Sequence, residues 1–583
     1  MTFHINYAGP CARWLRLSIN EPGHVLGPDT VAWIQEILDI KSDKPLVKTI
    51  PGDTFVPTRL VQVDCEPPRL IETPPIDEKP AGWIQSLRYV ALSYCWGSPE
   101  QARSQLKTER SSLPLRLSGI EKHKMTRVLQ DAIEACRALS IPYLWIDVLC
   151  IIQDDPIDWQ RESALIGKVY SNAYLTICNL SSESCTQGFL ERPPAQIEIP
   201  FQSKIRPEIR GSFRLPPWGT VHLNRTFCDH SKLQEDISYS KLETRGWAFQ
   251  ERAMSRRILA FGRSRIHFIC PEYYQTQGDE PVNTRSILFQ TGHLEHSAGN
   301  SGKGMDYYKF WYERVIPEYS TRSLTYKKDC FPALSGIAQY FASLLSDEYV
   351  AGLWREELHR GLFWCCVGTG KKWDALLDQL GDESTAYLAP SWSWASRGGY
   401  KGFDIRWFYM HEEKYHKVRK EYKSIEINID TVGADSFGQL KAASLQITTK
   451  VIPLPGDMER EDNGWDSRVV GDQDMSLAST KPDWYPSFME PRREMQMLLL
   501  GSARLPPISW SSSNSDTDVS DDEAAVIEFP QENGCDWVYG LLIHPTRPGA
   551  NTFFRVGLFH SASRPGWGPH LFNDVPETTI VLV

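Results

Sequence analysis

A chain of 583 residues exceeds the size at which a single hydrophobic core stops growing, so we expect two or three domains. Its composition, 41% hydrophobic and 23% charged, is typical of a chain that folds over most of its length. The net charge of -10, without a long block of lysine or arginine, argues against a nucleic acid or an anionic membrane as a partner.

The N-terminus and the cysteines predict the compartment. The first twenty residues contain no sustained apolar stretch, so we expect no signal peptide, and the apolar run Tyr143–Ile152 is interrupted by Asp147 and too short to cross a bilayer. The thirteen cysteines are scattered and form no C-x-x-C pair, which supports neither a disulfide framework nor a structural zinc site. We therefore expect a soluble chain of a reducing compartment, the cytoplasm, with no metal and no bound cofactor.

Residues 1–85, rich in proline and acidic side chains, are predicted to be a loosely structured lead-in with one strand at Thr58–Val63. From Tyr89 onward, short apolar runs alternate with helical periods, which predicts an α/β domain with a mostly parallel sheet flanked by helices over residues 86–275. The predicted elements are, in chain order, a strand at Tyr89–Tyr94, a helix at Met125–Leu139, a strand at Tyr143–Asp147, a helix at Ile157–Tyr170, a strand at Ala173–Cys178, a helix at Gly246–Met254, and a hairpin of Arg257–Phe261 and Arg265–Cys270.

Two further regions follow. Residues 276–420 are predicted to be a helical, tryptophan-rich extension with helical periods at Ala333–Leu345 and Tyr349–Gly361. Residues 421–583 are predicted to be a mixed α+β, β-rich C-terminal region, in which the acidic segment 509–524 has almost no apolar side chain and is expected to be a disordered loop. We expect most of the twenty tryptophans to fill hydrophobic cores.

The helix predicted at Ile157–Tyr170 carries the main candidate for chemistry. On a helical wheel, Glu162 lies on the same side as Trp159, Ile166 and Val169. Burial of a carboxylate on an apolar face is costly unless the group is paired, and it raises the pKa toward the range that is useful for acid–base work. The alternative is a structural glutamate that caps a backbone group or pairs with an arginine.

Other polar side chains are predicted to meet at the carboxyl ends of the parallel strands, where ligand sites of such folds lie. Some could supply a hydroxyl or an aromatic surface to a ligand, and the alternative for each of them is core packing or turn formation. The candidate ligand-binding residues are Ser93, Tyr94, Trp96, Asp147, Gln153, Trp159, Gln250 and Glu251.

Four motifs, in this order, resemble the fungal heterokaryon-incompatibility (HET) domain. They are Ala91-Leu-Ser-Tyr-Cys-Trp-Gly97, Leu144-Trp-Ile-Asp-Val-Leu-Cys-Ile-Ile-Gln153, Trp159-x-x-Glu162 followed by Val169-Tyr-Ser-Asn-Ala173, and Arg245-Gly-Trp-Ala-Phe-Gln-Glu251. Two later segments, 319–336 and 389–395, resemble the downstream region of large HET-domain proteins. The resemblance implies a role in fungal self/non-self recognition and programmed cell death, a form of innate immunity, with self-association and a partner that senses non-self.

HET domains are in turn considered distantly similar to TIR domains, which have a flavodoxin-like α/β fold and some of which cleave NAD with a helical glutamate. Leu92-Ser-Tyr94 resembles the first TIR strand, and Trp159-x-x-Glu162 resembles the tryptophan and glutamate of the TIR catalytic helix. The resemblance therefore implies a TIR-like sheet and, as one hypothesis, an NAD glycohydrolase with Glu162 as the catalytic residue and NAD as its substrate.

Two alternatives to this enzyme stay open. In a non-catalytic signalling or self-association module, the same motifs serve only as core, and Glu162 is sealed there with an arginine partner. In the enzyme, by contrast, Glu162 is exposed to a pocket at a strand end. A metal-dependent hydrolase would require the oxygens of Asp147, Asp154 and Glu162 to converge on one ion.

Overall fold

The computed structural model describes most of the chain. The described residues are 4–5, 23–42, 55–74, 87–192, 197–202, 210–215, 232–263, 265–283, 290–291, 294, 306–366, 373–382, 387–397, 403–404, 417–455, 457–460, 467–470, 476–482, 494–505, 535–562 and 568–583. The chain divides into two compact units, residues 1–305 and residues 306–583. The predicted disordered loop 509–524 lies outside the described residues.

A nine-stranded sheet forms the centre of the first unit. In chain order its strands are β1 (Arg59–Gln62), β2 (Arg69–Glu72), β3 (Tyr89–Ser93), β4 (Tyr143–Trp145), β5 (Leu175–Asn179), β6 (Ile258–Phe261), β7 (Ile266–Ile269), β8 (Tyr273–Thr276) and β9 (Val282–Asn283). Their order across the sheet is β9-β8-β7-β6-β5-β3-β4-β1-β2.

The four central strands of this sheet are parallel, and both edges are antiparallel. Strand β3 pairs in parallel with β4 and β5, and β5 pairs in parallel with β6. Strands β3, β5 and β6 are buried at every residue, as their continuous apolar sequences predict for parallel strands. Antiparallel strands β1–β2 and β7–β9 extend the two edges. The expectation of a mostly parallel sheet is therefore wrong for the whole sheet, which is mixed.

Helices flank the parallel strands. They are α1 (Pro28–Ser42), α2 (Pro99–Ser104), α3 (Leu113–Ser118), α4 (Arg127–Ala138), α5 (Asp147–Cys150), α6 (Pro156–Asn172), α7 (Lys232–Ser238) and α8 (Gly246–Met254), with 3₁₀ turns at Lys122–Lys124 and Leu242–Thr244. Short strands outside the main sheet are His4–Ile5, Gly23–His24, Glu191–Arg192, Ile197–Gln202 and Arg210–Leu215. The predicted helices at 125–139, 157–170 and 246–254 are confirmed, and the turn of the predicted hairpin includes residue 264, which lies outside the described residues.

Helix α6 is fixed at its start and along its buried face. The Asp155 carboxylate accepts from backbone N–H groups of the first turn, which are left without partners inside a helix. The Tyr89 hydroxyl donates to the Val169 carbonyl at 2.6 Å, and the Tyr170 hydroxyl donates to the Leu92 carbonyl at 2.8 Å. These two hydrogen bonds join the middle of the sheet to the last turns of the helix.

Parts of residues 1–85 have more regular structure than the predicted lead-in. Residues 28–42 form helix α1, and β1 pairs with both β2 and β4, so this hairpin belongs to the main sheet. The strand expected at Thr58–Val63 corresponds to β1. Its partner β2 is only four residues long, which is too short for a clear alternating pattern.

A buried ion pair ties the hairpin to helix α6. Arg59 of β1 binds both carboxylate oxygens of Asp158, and the two side chains are only 2% and 5% exposed. Arg59 Nη1 also donates to the Cys150 carbonyl at 3.1 Å, and the Ile152 backbone N–H donates to Asp158 at 2.8 Å. The hairpin, the end of α5 and the start of α6 therefore share one hydrogen-bonded group.

The second unit combines helices with a large, mostly antiparallel sheet. Its helices are α9 (Tyr307–Phe310), α10 (Ile316–Ser320), α11 (Pro332–Leu345), α12 (Leu358–Gly361) and α13 (Trp373–Gly381), with a π-helical turn at Trp311–Val315 and 3₁₀ turns at Lys327–Asp329, Trp394–Arg397 and Gly568–Phe572. Its main strands are β10 (Lys417–Lys420), β11 (Tyr422–Thr431), β12 (Leu440–Pro453), β13 (Asp457–Arg460), β14 (Ser467–Val470), β15 (Ser476–Pro482), β16 (Gln496–Leu505), β17 (Cys535–Pro545), β18 (Thr552–Ala562) and β19 (Glu577–Leu582).

The path of this sheet is β10-β16-β12-β19-β18-β15-β14-β13, with β11 paired to β12 and β17 paired to β16 and β18. A β-rich C-terminal region is thus confirmed. The helical period expected at Tyr349–Gly361 is wrong for its first half, which forms the small ribbon Tyr349–Val350 and Leu353–Trp354, because the reversal there uses positive φ at Ala351 and Gly352. A second ribbon joins Cys365–Cys366 to Phe403–Asp404.

Tryptophans of the second unit fill its core. Trp311, Trp354, Trp364, Trp392 and Trp394 are among the largest fully buried side chains. Their indole N–H groups find backbone acceptors where these are near: Trp364 Nε1 donates to the Trp392 carbonyl at 2.9 Å, and Trp394 Nε1 donates to the Gly352 carbonyl at 3.1 Å. Core packing, the expected role of these residues, accounts for them here.

No helix among the residues that the structure describes is both long and apolar enough to span a lipid bilayer.

Candidate functional site

Six side chains from three of the four motifs meet beyond the carboxyl ends of strands β3 and β4. We call this group the strand-end cluster, and its members are Ser93, Tyr94, Trp96, Asp147, Arg245 and Glu251. Strand β3 ends at Ser93, and helix α5 begins at Asp147, one residue after the end of β4, with Ile146 as its N-cap residue. Helix α8 brings in Glu251, and its N-cap residue is Arg245.

Ser93 and Glu251 form the buried side of the cluster. The Ser93 hydroxyl donates to Glu251 Oε2, and the two residues are 1% and 8% exposed. The pKa of Glu251 is raised to about 7, mainly by burial and to a lesser extent by the nearby Asp147, against the Arg245 charge and the hydrogen bonds from Ser93 and Tyr170. Glu251 is thus a carboxyl group that gains and loses its proton near neutral pH.

Trp96 and Asp147 form the open side of the cluster, since both are only partly buried. Trp96 Nε1 donates to Asp147 Oδ2 at 3.0 Å, and the Val148 backbone N–H donates to Asp147 Oδ1 at 2.7 Å. Burial raises the pKa of Asp147, against the Arg245 charge and the hydrogen bonds that the carboxylate accepts. The ammonium group of Lys107 lies 5.7 Å from the centroid of the Trp96 ring, within cation–π range.

Tyr94 joins this open side to a neighbouring amide. Its hydroxyl lies 2.7 Å from Gln105 Oε1 and also hydrogen-bonds to Asp147. As placed, the buried Gln105 Nε2 has no partner. In the flipped orientation of the Gln105 amide, Nε2 donates to the Tyr94 oxygen and the Tyr94 O–H donates to Asp147. This orientation leaves no unpaired donor on the amide.

Arg245 is the cation of the cluster. Its Nη1 donates to the Tyr94 carbonyl, the first acceptor after β3 ends. Burial lowers the pKa of Arg245, but the charges of Glu251, Asp147 and other nearby groups outweigh this and leave the pKa raised. The guanidinium therefore stays charged between two carboxyl groups.

Glu162 lies outside the cluster. It is on the buried face of α6, as the helical wheel predicts, and is 2% exposed. Its Oε1 accepts from Arg161 Nε at 3.1 Å, and Arg161 also pairs with Asp158. A sealed glutamate with an arginine partner is the arrangement expected of the structural role.

The other predicted site residues have structural contacts. Gln153 Nε2 donates to the Asp147 carbonyl at 3.0 Å and so closes the turn around α5. Trp159 meets Trp247 edge-to-face, with ring centroids 6.4 Å apart, where α6 packs on α8. Gln250 is fully buried on α8. The structure thus brings together Ser93, Tyr94, Trp96, Asp147 and Glu251 of the predicted site, and leaves Gln153, Trp159 and Gln250 around it.

Sequence reasoning missed Arg245, Gln105 and Lys107 as neighbours of the site. Arg245 opens the fourth motif, so its place directly before Gly246 and Trp247 was a usable signal. Gln105 and Lys107 lie in the connection after β3, where no periodic pattern fixes the side of the chain on which a residue falls.

Asp147, Asp154 and Glu162 do not converge. Asp154 accepts from the Arg110 backbone N–H at 2.8 Å, away from the partners of Asp147 and Glu162. Within the described ranges there is no group of three or more His, Cys, Asp or Glu side chains arranged to hold a metal ion. The metal-dependent hydrolase has no supporting geometry in this part of the chain.

Gly97 closes the loop that carries Trp96. Its φ of +88° is one that side-chain-bearing residues rarely adopt, and an added Cβ would lie 2.4 Å from Gln101 Oε1 and 2.5 Å from Ser184 Cβ. We expect Gly97→Ala to lower the free energy of unfolding of the first unit by about 2 kcal/mol, measured by scanning calorimetry. The control is Gly27→Ala, where nothing lies within 4 Å and no positive φ is needed; equal losses in both variants would refute the strain.

Residues 89–251 match the family model described as "Heterokaryon incompatibility protein (HET)". This range begins at β3 and ends at Glu251, and it contains all six residues of the strand-end cluster. No curated protein matches the chain, and no solved structure matches it.

Proposed function

Because this chain carries a heterokaryon incompatibility (HET) domain over residues 89–251, we propose that it acts in fungal self/non-self recognition and that its activation ends in programmed cell death, as a form of innate immunity. The observation that carries the proposal is the strand-end cluster, where three of the four HET motifs converge. We further propose that the protein acts in the cytoplasm. The nine free cysteines of the described residues support a reducing compartment.

We propose a TIR-like arrangement for the parallel core of the first unit. Numbered along the chain, its parallel strands β3, β4, β5 and β6 lie in the order second, first, third, fourth, which is the order of flavodoxin-like folds. In such sheets the ligand crevice lies beyond the ends of the first and third strands. Here these are β3 and β5: Ser93 ends β3 and is the register partner of Cys178 in β5, whereas Asp147 follows β4, on the other side of β3.

We propose NAD as the ligand and its hydrolysis as the reaction. Trp96 would stack on a ring of NAD while a carboxylate faces the ribosyl centre. The glycosidic C–N bond breaks, nicotinamide leaves with the electron pair, and water supplies the hydroxyl group to the ribosyl carbon and releases a proton. An ionised carboxylate stabilises the positive charge that develops in this transition state.

The geometry favours Asp147 over Glu162 as that carboxylate. Asp147 is partly exposed beside Trp96, whereas Glu162 is 2% exposed and paired with Arg161. A group that is sealed in the core reaches a substrate only after the surrounding helix moves. We therefore place Asp147, and not Glu162, at the ribosyl centre.

A second proposed function is the non-catalytic module. Two observations favour it: Glu162 is sealed with an arginine partner, and Ser93 and Glu251 are buried against each other. In this module the motifs hold the core, and the domain signals by self-association or by docking on a sensor of non-self. Nucleic acid is not among the proposed partners, since the net charge of -10 disfavours it.

The test is NAD consumption by the full chain, followed as nicotinamide release at several protein concentrations. We expect Asp147→Asn to lower the rate by about 100-fold or more, and Glu162→Gln to leave it within about threefold when both variants are equally folded. Asp154→Asn, an exposed carboxylate near the same loop, is the matched control and should change nothing.

Each other outcome has a definite meaning. A large loss in Glu162→Gln, with Asp147→Asn unaffected, would keep the reaction and move the carboxylate to Glu162. A wild-type chain that consumes no NAD at any concentration, yet self-associates, would remove catalysis and leave the module.

A further inference from the structure

Arg245 lies between the two carboxyl groups of the strand-end cluster. It is the N-cap residue of α8, and its guanidinium hydrogen-bonds to the Tyr94 carbonyl just beyond β3. Its positive charge lowers the pKa of both Asp147 and Glu251. One side chain therefore connects the end of a strand, the start of a helix and two acids.

The two acids also act on each other. Asp147 raises the pKa of Glu251, and burial raises the pKa of both groups. If the arginine charge were lost, burial and the repulsion between the two acids would still raise their pKa values. Both carboxyl groups would then take up protons at higher pH. A neutral Asp147 accepts a weaker hydrogen bond from Trp96 Nε1 than an ionised one.

The loop from Tyr94 to Gly97 depends on the same arginine. This loop presents Trp96, and its first carbonyl is held by Arg245. Its last residue, Gly97, has a positive φ, and Gln101 and Ser184 occupy the space that a Cβ at this position would need. Arg245 thus fixes one end of the loop and glycine geometry fixes the other.

We propose that Arg245 is a positioning residue: it keeps Asp147 ionised and holds the Tyr94–Gly97 loop, so that Trp96 and Asp147 stay in place for a ligand. The inference rests on the proposed function only where that ligand is taken to be NAD. Arg245 itself does not contact the reacting atoms in this assignment.

The groups that face each acid define what a titration would report. Asp147 is faced by Arg245, Glu251, the Tyr94 and Tyr170 hydroxyls, the Cys150 thiol, the Trp96 indole N–H and the Val148 backbone N–H. Glu251 is faced by Arg245, Asp147, the Ser93 and Tyr170 hydroxyls and the thiols of Cys95 and Cys178. Trp96 touches Asp147 directly, so its fluorescence reports the protonation of that acid.

The full chain is titrated between about pH 4 and about pH 9 while its fluorescence is recorded. The Trp96 signal is obtained by subtracting the fluorescence of the same protein with Trp96→Phe. We expect Arg245→Gln to raise the midpoint by about one pH unit or more, a tenfold change in proton affinity. Arg245→Lys should restore the midpoint to within about half a unit, because it keeps the charge. Arg103→Gln, an exposed arginine of α2, is the matched control.

A second variant guards against misfolding. The double variant Arg245→Gln/Glu251→Gln has no carboxyl group at position 251. It therefore lacks the uncompensated buried charge that could unfold Arg245→Gln, and its midpoint should still rise. A midpoint equal to wild type in either folded variant would overturn the proposal. If the wild type consumes no NAD, the proposed hydrolysis fails, and the fluorescence titration decides the role of Arg245 independently. If the wild type does consume NAD, the fall of the reaction rate at acid pH should lie at higher pH in Arg245→Gln, by the same interval as the fluorescence midpoint.

Discussion

Arg59→Met is expected to destabilise the first unit by about 3–5 kcal/mol, because it removes one partner of a buried ion pair and leaves the other charged. Asp158 would keep the Ile152 N–H and Arg161 as partners, but Arg161 is 55% exposed and its charge is screened by water. The loss should appear as faster hydrogen exchange of the amides in β1 and β2 of the full chain, since this hairpin depends on the pair.

Two further variants separate the ion pair from loss of the side chain. Arg59→Met with Asp158→Asn removes both charges and should recover a large part of the stability. Arg69→Met, on the exposed face of the neighbouring strand, should cost less than about 0.5 kcal/mol. Exchange rates in Arg59→Met that equal those in Arg69→Met would contradict the assignment.

Glu251→Gln is expected to change how the stability of the first unit depends on pH. The pKa of Glu251 is raised from 4.5 to about 7 in the folded chain, so the folded state binds more protons than the unfolded state between these values. The wild type therefore loses stability as pH rises through this window, and the loss is complete above the folded pKa. Its size is on the order of 3 kcal/mol.

The glutamine variant cannot titrate, so the loss should be absent from it. At about pH 5 the two proteins should differ little, and at about pH 8 the variant should be the more stable one by on the order of 3 kcal/mol. Urea titrations read by pulse proteolysis measure this, since they report the unit that is cleaved. Glu183→Gln, an exposed carboxylate of the same unit, is the control, and a Glu251→Gln curve parallel to wild type would rule out the raised pKa.

Strands and helices with long apolar patterns could be predicted from the sequence. The run at Tyr89–Ser93 is buried at every residue, and α4 and α6 bury one face each, so the period and length of their apolar patterns were sufficient signals. Helix α8 is buried at every residue except Trp247. Strand β1 was predicted, but neither its partner β2 nor the place of the hairpin in the main sheet was, because a four-residue edge strand owes its conformation to its pairing partner.

The site was predictable in part. Because β3 and β4 are parallel, Ser93 and Asp147 lie at the same edge of the sheet. Ligand sites of such sheets lie at the carboxyl ends of the strands, so the strand pattern alone was enough to predict this pair. The interactions of Arg245 with Tyr94 and of Glu251 with Ser93 join residues 151 and 158 positions apart, and no local pattern encodes them. The helical wheel predicted that Glu162 is buried. Its pairing with Arg161 could not be predicted, because it depends on side-chain rotamers that are set by packing in the folded protein.

The ion pair between Arg59 and Asp158 also bears on how such a domain can be moved between genes. The four motifs lie within residues 89–251, but Arg59 lies thirty positions upstream of that range. A recombination event that transferred only the motif-bearing segment would carry Asp158 into the new protein without its counter-ion. The segment that must be transferred to keep this ion pair is therefore longer than the segment that matches the family model, and it starts at or before Arg59.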